Sequence, residues 1–133
     1  MNSTSIVTAF LTHNNKYLIL KRSDKVKSMK CLWAGISGII EGDEEPLYRA
    51  KREIFEEAGM IEDNLSLLRS GQQMHVESQY ANHEWLIHPF LFAVKDTAIT
   101  LNWENKEYAW ISVSDLSQYQ TVPSLDRVLA SLL

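Results

Sequence analysis

Between Arg52 and Met60 the chain reads REIFEEAGM, with carboxylates at 53, 56 and 57 and an arginine directly before the first. Three glutamates packed this closely can hold a divalent cation. Hard carboxylate oxygens suit Mg2+ or Mn2+, which bind a few carboxylates together with water and phosphate oxygens. A cation held there can neutralise charge on a phosphoryl group and lower the pKa of a water nucleophile. The competing interpretation is a solvated helix face laced with salt bridges. It fits less well. Like charges three and four residues apart on a helix repel by a few tenths of a kcal/mol per pair, and in the last turn the helix dipole disfavours anions. Arg49 and Arg52 can offset part of the charge, but a cation bound by several carboxylates would offset more.

The element that must carry these residues is a helix over 46–58, PLYRAKREIFEEA, with Pro46 suited to its first turn and Gly59 to the position just past its end. At about 100° per residue, Leu47, Ala50, Ile54 and Ala58 form a narrow core-facing stripe, and the three glutamates cluster on an adjoining face. Around this helix the pattern is one of strands. Ser5 to Thr12 and Tyr17 to Arg22 are aliphatic and β-branched, with a hairpin turn expected at Asn14 and Asn15. Residues 32–41 are strand-like but broken by two glycines, and further strands are expected over 65–76, 84–94 and 107–113. A second helix near Pro123 carries Leu125, Val128, Leu129 and Leu132 as its apolar stripe. With no repeat and no linker-like tract, residues 1–133 read as a single mixed α/β domain.

Read outward from the glutamates, the stretch GIIEGDEEPLYRAKREIFEEAGM (38–60) resembles a Nudix box. The family signature, G-x5-E-x7-R-E-U-x-E-E-x-G-U with U a bulky aliphatic residue, is met at every defined position. ENKEYAWISVSDL (104–116) is similar to the family's late strand leading into a short helix. The resemblance implies an α/β/α sandwich around a mixed sheet. It also implies a hydrolase that cleaves a phosphoanhydride of a nucleoside diphosphate linked to another group, using Mg2+ or Mn2+. By the family pattern, Glu53, Glu56 and Glu57 are metal-site residues, Glu53 is also a candidate base, and the Gly38 carbonyl is a further ligand. Arg52 is implied to hold Glu53 in position, and Glu44 to orient the loop or bind through water. Glu44 equally suits a helix N-terminus on dipole grounds alone. One departure concerns Ile36 and Ser37, which stand where many members have Pro-Gly. Ser37 can therefore bond substrate or simply a turn.

Substrate identity is less legible. Lys21, Arg22, Lys25, Lys27 and Lys30 can attract phosphates or belong to an ordinary solvated loop. Trp33, Tyr80, Trp85 and Trp110 can stack a base or fill the core. His75, His83 and His88 have no metal-ligand spacing. Glu104 and Glu107 precede a strand that could bring an extra carboxylate from outside the helix, and Glu107 is the choice between them.

Composition excludes other classes. A formal net charge of −4 gives no basic field for a nucleic-acid polymer or an anionic membrane. No apolar run approaches a membrane span, and no signal-peptide pattern opens the chain. Lone Cys31 cannot form an internal disulfide, which suits a reducing, cytoplasmic setting. The expected partner is a small nucleotide, bound by a monomer or homodimer. Three functions follow: a nucleoside triphosphate pyrophosphatase; the same chemistry on ADP-ribose, a dinucleoside polyphosphate or another conjugate; and a nucleotide-binding module without turnover. The intact charged helix favours turnover.

Overall fold

The computed structural model describes residues 2–133. Strands β1 (Asn2–His13) and β2 (Lys16–Arg22) open the chain as a hairpin. Its turn residues Asn14 and Asn15 have φ of 50° and 61°, the double positive φ that a two-residue type I′ turn requires. β3 (Trp33–Ala34) and β4 (Ile36–Ile39) follow, then helix α1 (Pro46–Ala58), β5 (Leu65–Ser70), β6 (Met74–Glu77), β7 (His83–Val94), β8 (Asn105–Ile111) and helix α2 (Leu125–Ala130). Short 3-10 turns occupy Glu62–Asn64 and Val113–Gln118. All the strands belong to one mixed sheet, whose central path runs β3-β2-β1-β7-β5. β1 pairs parallel with β7 from Asn2 opposite His83 to Thr12 opposite Ala93. That long pairing explains why β1 begins at Asn2 and not at Ser5, where the apolar pattern begins. The remaining pairings are antiparallel.

Two expected strands are each split, for identifiable reasons. Residues 32–41 change partners at Gly35: β3 pairs with β2, and β4 pairs with β1. A Cβ at Gly35 would lie 3.0 Å from the Thr8 side chain and 3.1 Å from the Ala9 carbonyl, so the crossing needs glycine. Residues 65–76 break between β5 and β6, both paired to β7. Pro89 of β7 faces that break. It has no N–H to donate, and its carbonyl accepts the Gly71 N–H at 2.9 Å.

Side-chain alternation divides the core into two layers. Val7, Ala9 and Leu11 of β1 face α1, where they join Ile54, Phe92 and the alanines of the helix. Phe10 faces the other way, into a layer closed by Leu125, Val128, Leu129 and Leu132 of the C-terminal segment. The result is an α/β/α sandwich. Among the described residues, no helix is long and apolar enough to cross a membrane.

α1 matches its expected bounds. Pro46 opens it, and Gly59 ends it in the left-handed region (φ 73°, ψ 20°), donating to the Phe55 carbonyl at 3.1 Å. Ala50, Ile54 and Ala58 are fully buried. Small residues at 50 and 58 let the helix axis lie close to the sheet. At Gly38 of β4 the approach is so tight that a Cβ there would overlap the Glu53 side chain. Glu53 is itself buried and bonded to Arg49, so swinging aside breaks that bond. Gly38→Ala is therefore expected to overpack this junction at a cost of about 1–3 kcal/mol. A thermal melt should place its midpoint roughly 4–10 °C below the parent's; an unchanged midpoint would contradict the packing.

Candidate metal centre and active site

Burial of the helix stripe carries two charged neighbours down with it. Glu53 and Glu57, one turn apart on α1, are 7% and 4% exposed. Glu104, from the loop leading into β8, completes a set of three carboxylates. One oxygen of each lies within 4.8 Å of the others. Each member has its own support. Arg49 donates from Nη1 to Glu53 Oε2 at 3.0 Å. Buried Asn105, the first residue of β8, donates from Nδ2 to Glu57 Oε1 at 3.1 Å. Asn102 donates from its side chain to Glu104 Oε1 at 3.0 Å.

The electrostatics follow from this geometry. Burial is the main cause that pushes the Glu53 carboxyl up, opposed by its bonds to Glu57 and Arg49. Burial also drives Glu57 well above the ordinary carboxylate range, reinforced by Glu53 and Glu104 and only partly offset by Asn105. Two buried carboxylates in contact share a proton more readily than both ionise. Glu57 Oε2 is fully covered and has no hydrogen-bond donor. A cluster of oxygen-only donors, with a buried carboxylate oxygen left without a partner, fits a hard divalent cation. Glu44 behaves oppositely. Arg49, followed by the backbone N–H of Glu41, holds its carboxyl below the usual value.

Several of the expected residues stand in other places than their expected roles require. Glu107 does not reach the cluster: it sits on β8 opposite Lys21, pairs with its ammonium at 3.5 Å and is largely exposed. Glu104 is the carboxylate that arrives from outside the helix. Arg52 does not hydrogen-bond Glu53; it donates to Glu56 at 3.1 Å and to the Tyr48 hydroxyl at 3.4 Å. Glu56 is outside the three-carboxylate set but lines the same cavity as Glu53 and Glu104. Gly38 lies directly against Glu53. Ser37 shares a hydrogen bond of 3.0 Å with Thr8 across the β1–β4 pair, which meets its polar need inside the sheet.

The centre opens onto a cavity of about 630 Å³. Gly38, Arg49, Arg52, Glu53, Glu56 and Glu104 line one part of it, and Ile6, Val76, Trp85, Ile87 and Leu125 supply apolar wall. Of the basic residues flagged in the 21–30 stretch, Arg22 lines it, with its guanidinium donating to the Ser28 carbonyl. Trp33 packs edge-on against Tyr119 in the core, and Trp110 packs against the α1 layer. Trp103, unflagged in the sequence, lines the cavity beside Glu104 and is 62% exposed. His75 pairs with Glu84, His83 bonds Thr4 and Ser78, and His88 bonds Gln73, all away from the carboxylates.

Comparison with known proteins agrees with this geometry. The NUDIX domain profile matches residues 3–132. No curated protein sequence matches the chain. Among solved structures, a MutT NUDIX hydrolase from Burkholderia pseudomallei superposes with a TM-score of 0.78 at 17% identity, covering 100% of both chains. A MutT protein from Methanosarcina mazei Go1 gives 0.75 at 21% identity over 95% of this chain and 88% of its own. An Ap4A hydrolase from C. elegans gives 0.76 at 14% identity over 98% and 94%. At these identities the superpositions establish the fold. With the profile covering nearly the whole sequence, and Glu53 and Glu57 of the box gathered with Glu104 into one carboxylate cluster, the chain belongs to the NUDIX domain family, as a hydrolase of the nucleoside diphosphate-X class.

Proposed function

We propose that this chain is a Mg2+- or Mn2+-dependent pyrophosphatase of nucleoside triphosphates. The observation that carries the reading is the junction of carboxylates and cavity: buried Glu53 and half-buried Glu104, two members of the set, line the same space as the apolar wall around Trp85. A polar chain of phosphates and a flat apolar base need those two surroundings in one cleft. In this assignment Glu53, Glu56 and Glu57 hold the cation, the Gly38 carbonyl is a further ligand, and Glu104 takes the place that the sequence suggested for Glu107. When bound, the cation supplies charge neutralisation at the phosphoryl oxygens and a more acidic water. Glu53 is the candidate base. Arg52 and Arg22, which line the cavity, face the phosphates of the substrate, and Trp103 and Trp85 offer ring faces for the base.

A nucleotide conjugate is the second reading. The C. elegans protein whose fold spans 98% of this chain is an Ap4A hydrolase, so a domain of this architecture accommodates that substrate there.

Chromatography of products from a nucleotide panel with Mg2+ or Mn2+ tests both. Triphosphate substrates should give a nucleoside monophosphate and pyrophosphate, and turnover should stop in excess chelator. Preferential cleavage of dinucleoside polyphosphates or ADP-ribose would move the assignment to the second reading, and strong turnover in chelator would remove the metal from it. Glu53→Gln should lower kcat by at least about a hundredfold with the fold intact, because a charge acting in the transition state is lost. A near-normal rate would place the reaction at another site.

A further inference from the structure

Arg49 occupies one of the undefined positions of the box, yet it is the arginine in contact with the carboxylate centre. Its side chain is only 10% exposed, against 54% for Arg52. Nε donates to Glu44 Oε1 at 3.0 Å and Nη2 to Glu44 Oε2 at 2.7 Å, a fork on one carboxylate. Nη1 reaches Glu53 Oε2 at 3.0 Å. Glu44 is itself tied down, because its Oε1 accepts the backbone N–H of Glu41 at 2.8 Å. A continuous run of hydrogen bonds therefore leads from the Glu41 backbone, through Glu44 and Arg49, to Glu53.

We propose that Arg49 is the positioning residue of this centre: it clamps Glu53 to the loop before α1, the role that the family pattern implies for Arg52. The inference rests on the reading of the carboxylates as a metal site. A glutamate side chain has three rotatable bonds, and fixing one of its oxygens from a rigid guanidinium restricts where the other can point. Arg52 cannot do this from its position. Its two hydrogen bonds go to Glu56 and to Tyr48, which is itself 53% exposed. A lysine at 49 would keep the charge and lose the fork, since a single ammonium cannot reproduce the planar array that spans Glu44 and Glu53.

Positioning and charge balance have opposite signatures in cation affinity. If Arg49 only neutralised nearby carboxylates, its removal would leave a more negative site that binds Mn2+ more tightly. If it aims Glu53, removal weakens binding, and loss of a partner of a metal ligand typically costs about 10–100-fold.

The test uses Mn2+ as the probe, with free ion measured by electron paramagnetic resonance at a temperature well below each protein's melting point. Arg49→Met should bind Mn2+ about 10–100-fold more weakly than the parent. Arg49→Lys should fall between the two, and Arg52→Met should lose less than Arg49→Met. Equal or tighter binding by Arg49→Met, or a larger loss at Arg52→Met, overturns the proposal. Should Arg49→Met fail to fold, Arg49→Lys decides: weakened Mn2+ binding supports the clamp, and unchanged binding overturns it. A parent protein that binds no Mn2+ overturns the proposal together with the metal reading. A parent that binds, with both position-49 variants matching it, overturns the clamp alone.

Discussion

Two glutamates buried side by side on one turn of a helix set the terms for the rest of this molecule. Glu53 and Glu57 are almost wholly covered, and a third carboxylate, Glu104, closes over them from another element. Isolated carboxylates are costly to remove from water, and adjacent ones also repel. The surroundings can be read as the means of tolerating that arrangement. Arg49 and Asn105 each give one of the pair a hydrogen bond from outside the helix's own carboxylates. Gly38 leaves the room that Glu53 occupies, and the stripe of Ala50, Ile54 and Ala58 anchors the helix firmly enough to hold the charges in place.

The arrangement works against stability at neutral pH. A carboxyl whose pKa is higher in the folded than in the unfolded state binds protons more tightly when folded. Its favourable contribution is present below the ordinary carboxylate pKa and is lost as pH rises through the raised value. Both Glu53 and Glu57 are raised. Glu44 is lowered and contributes in the opposite sense, but it lies at the solvent edge, where screening weakens such effects. A domain that keeps its most perturbed acids next to a cavity trades stability for a site ready to receive positive charge.

Much of this was legible in the sequence because the box is local. Pro46, Gly59 and the apolar stripe define α1, and its spacing alone brings 53, 56 and 57 together. The two ion pairs were also within reach, since Arg49–Glu53 and Arg52–Glu56 are both spaced four apart on the helix and both pairs form. Spacing does not tell which of the two pairs faces the core. Glu107, chosen over Glu104 from the sequence, stands away from the cluster for a non-local reason. β8 pairs with β2 through an irregularity between Lys21 and Arg22 that sets Asn105 opposite Arg22 and Glu107 opposite Lys21. That register leaves Glu104 just before the strand, beside Glu53 and Glu57. The splits at Gly35 and between β5 and β6 likewise depend on partner strands, one on β1 and the other on Pro89 of β7.

The central claim, that these carboxylates are gathered for a cation and strain the fold without one, is tested most directly by thermal melts of the parent and Glu57→Gln, in chelator and in millimolar Mg2+ or Mn2+ at matched ionic strength. A glutamine at 57 keeps an acceptor for Asn105 and gains an amide that can donate to Glu53. The variant should therefore melt slightly higher than the parent in chelator. A cation at a hundredfold its Kd stabilises the parent by about 2.7 kcal/mol, a rise of several degrees, and the variant should show a smaller rise. A variant that melts lower than the parent in chelator, with an undiminished response to metal, would contradict the account.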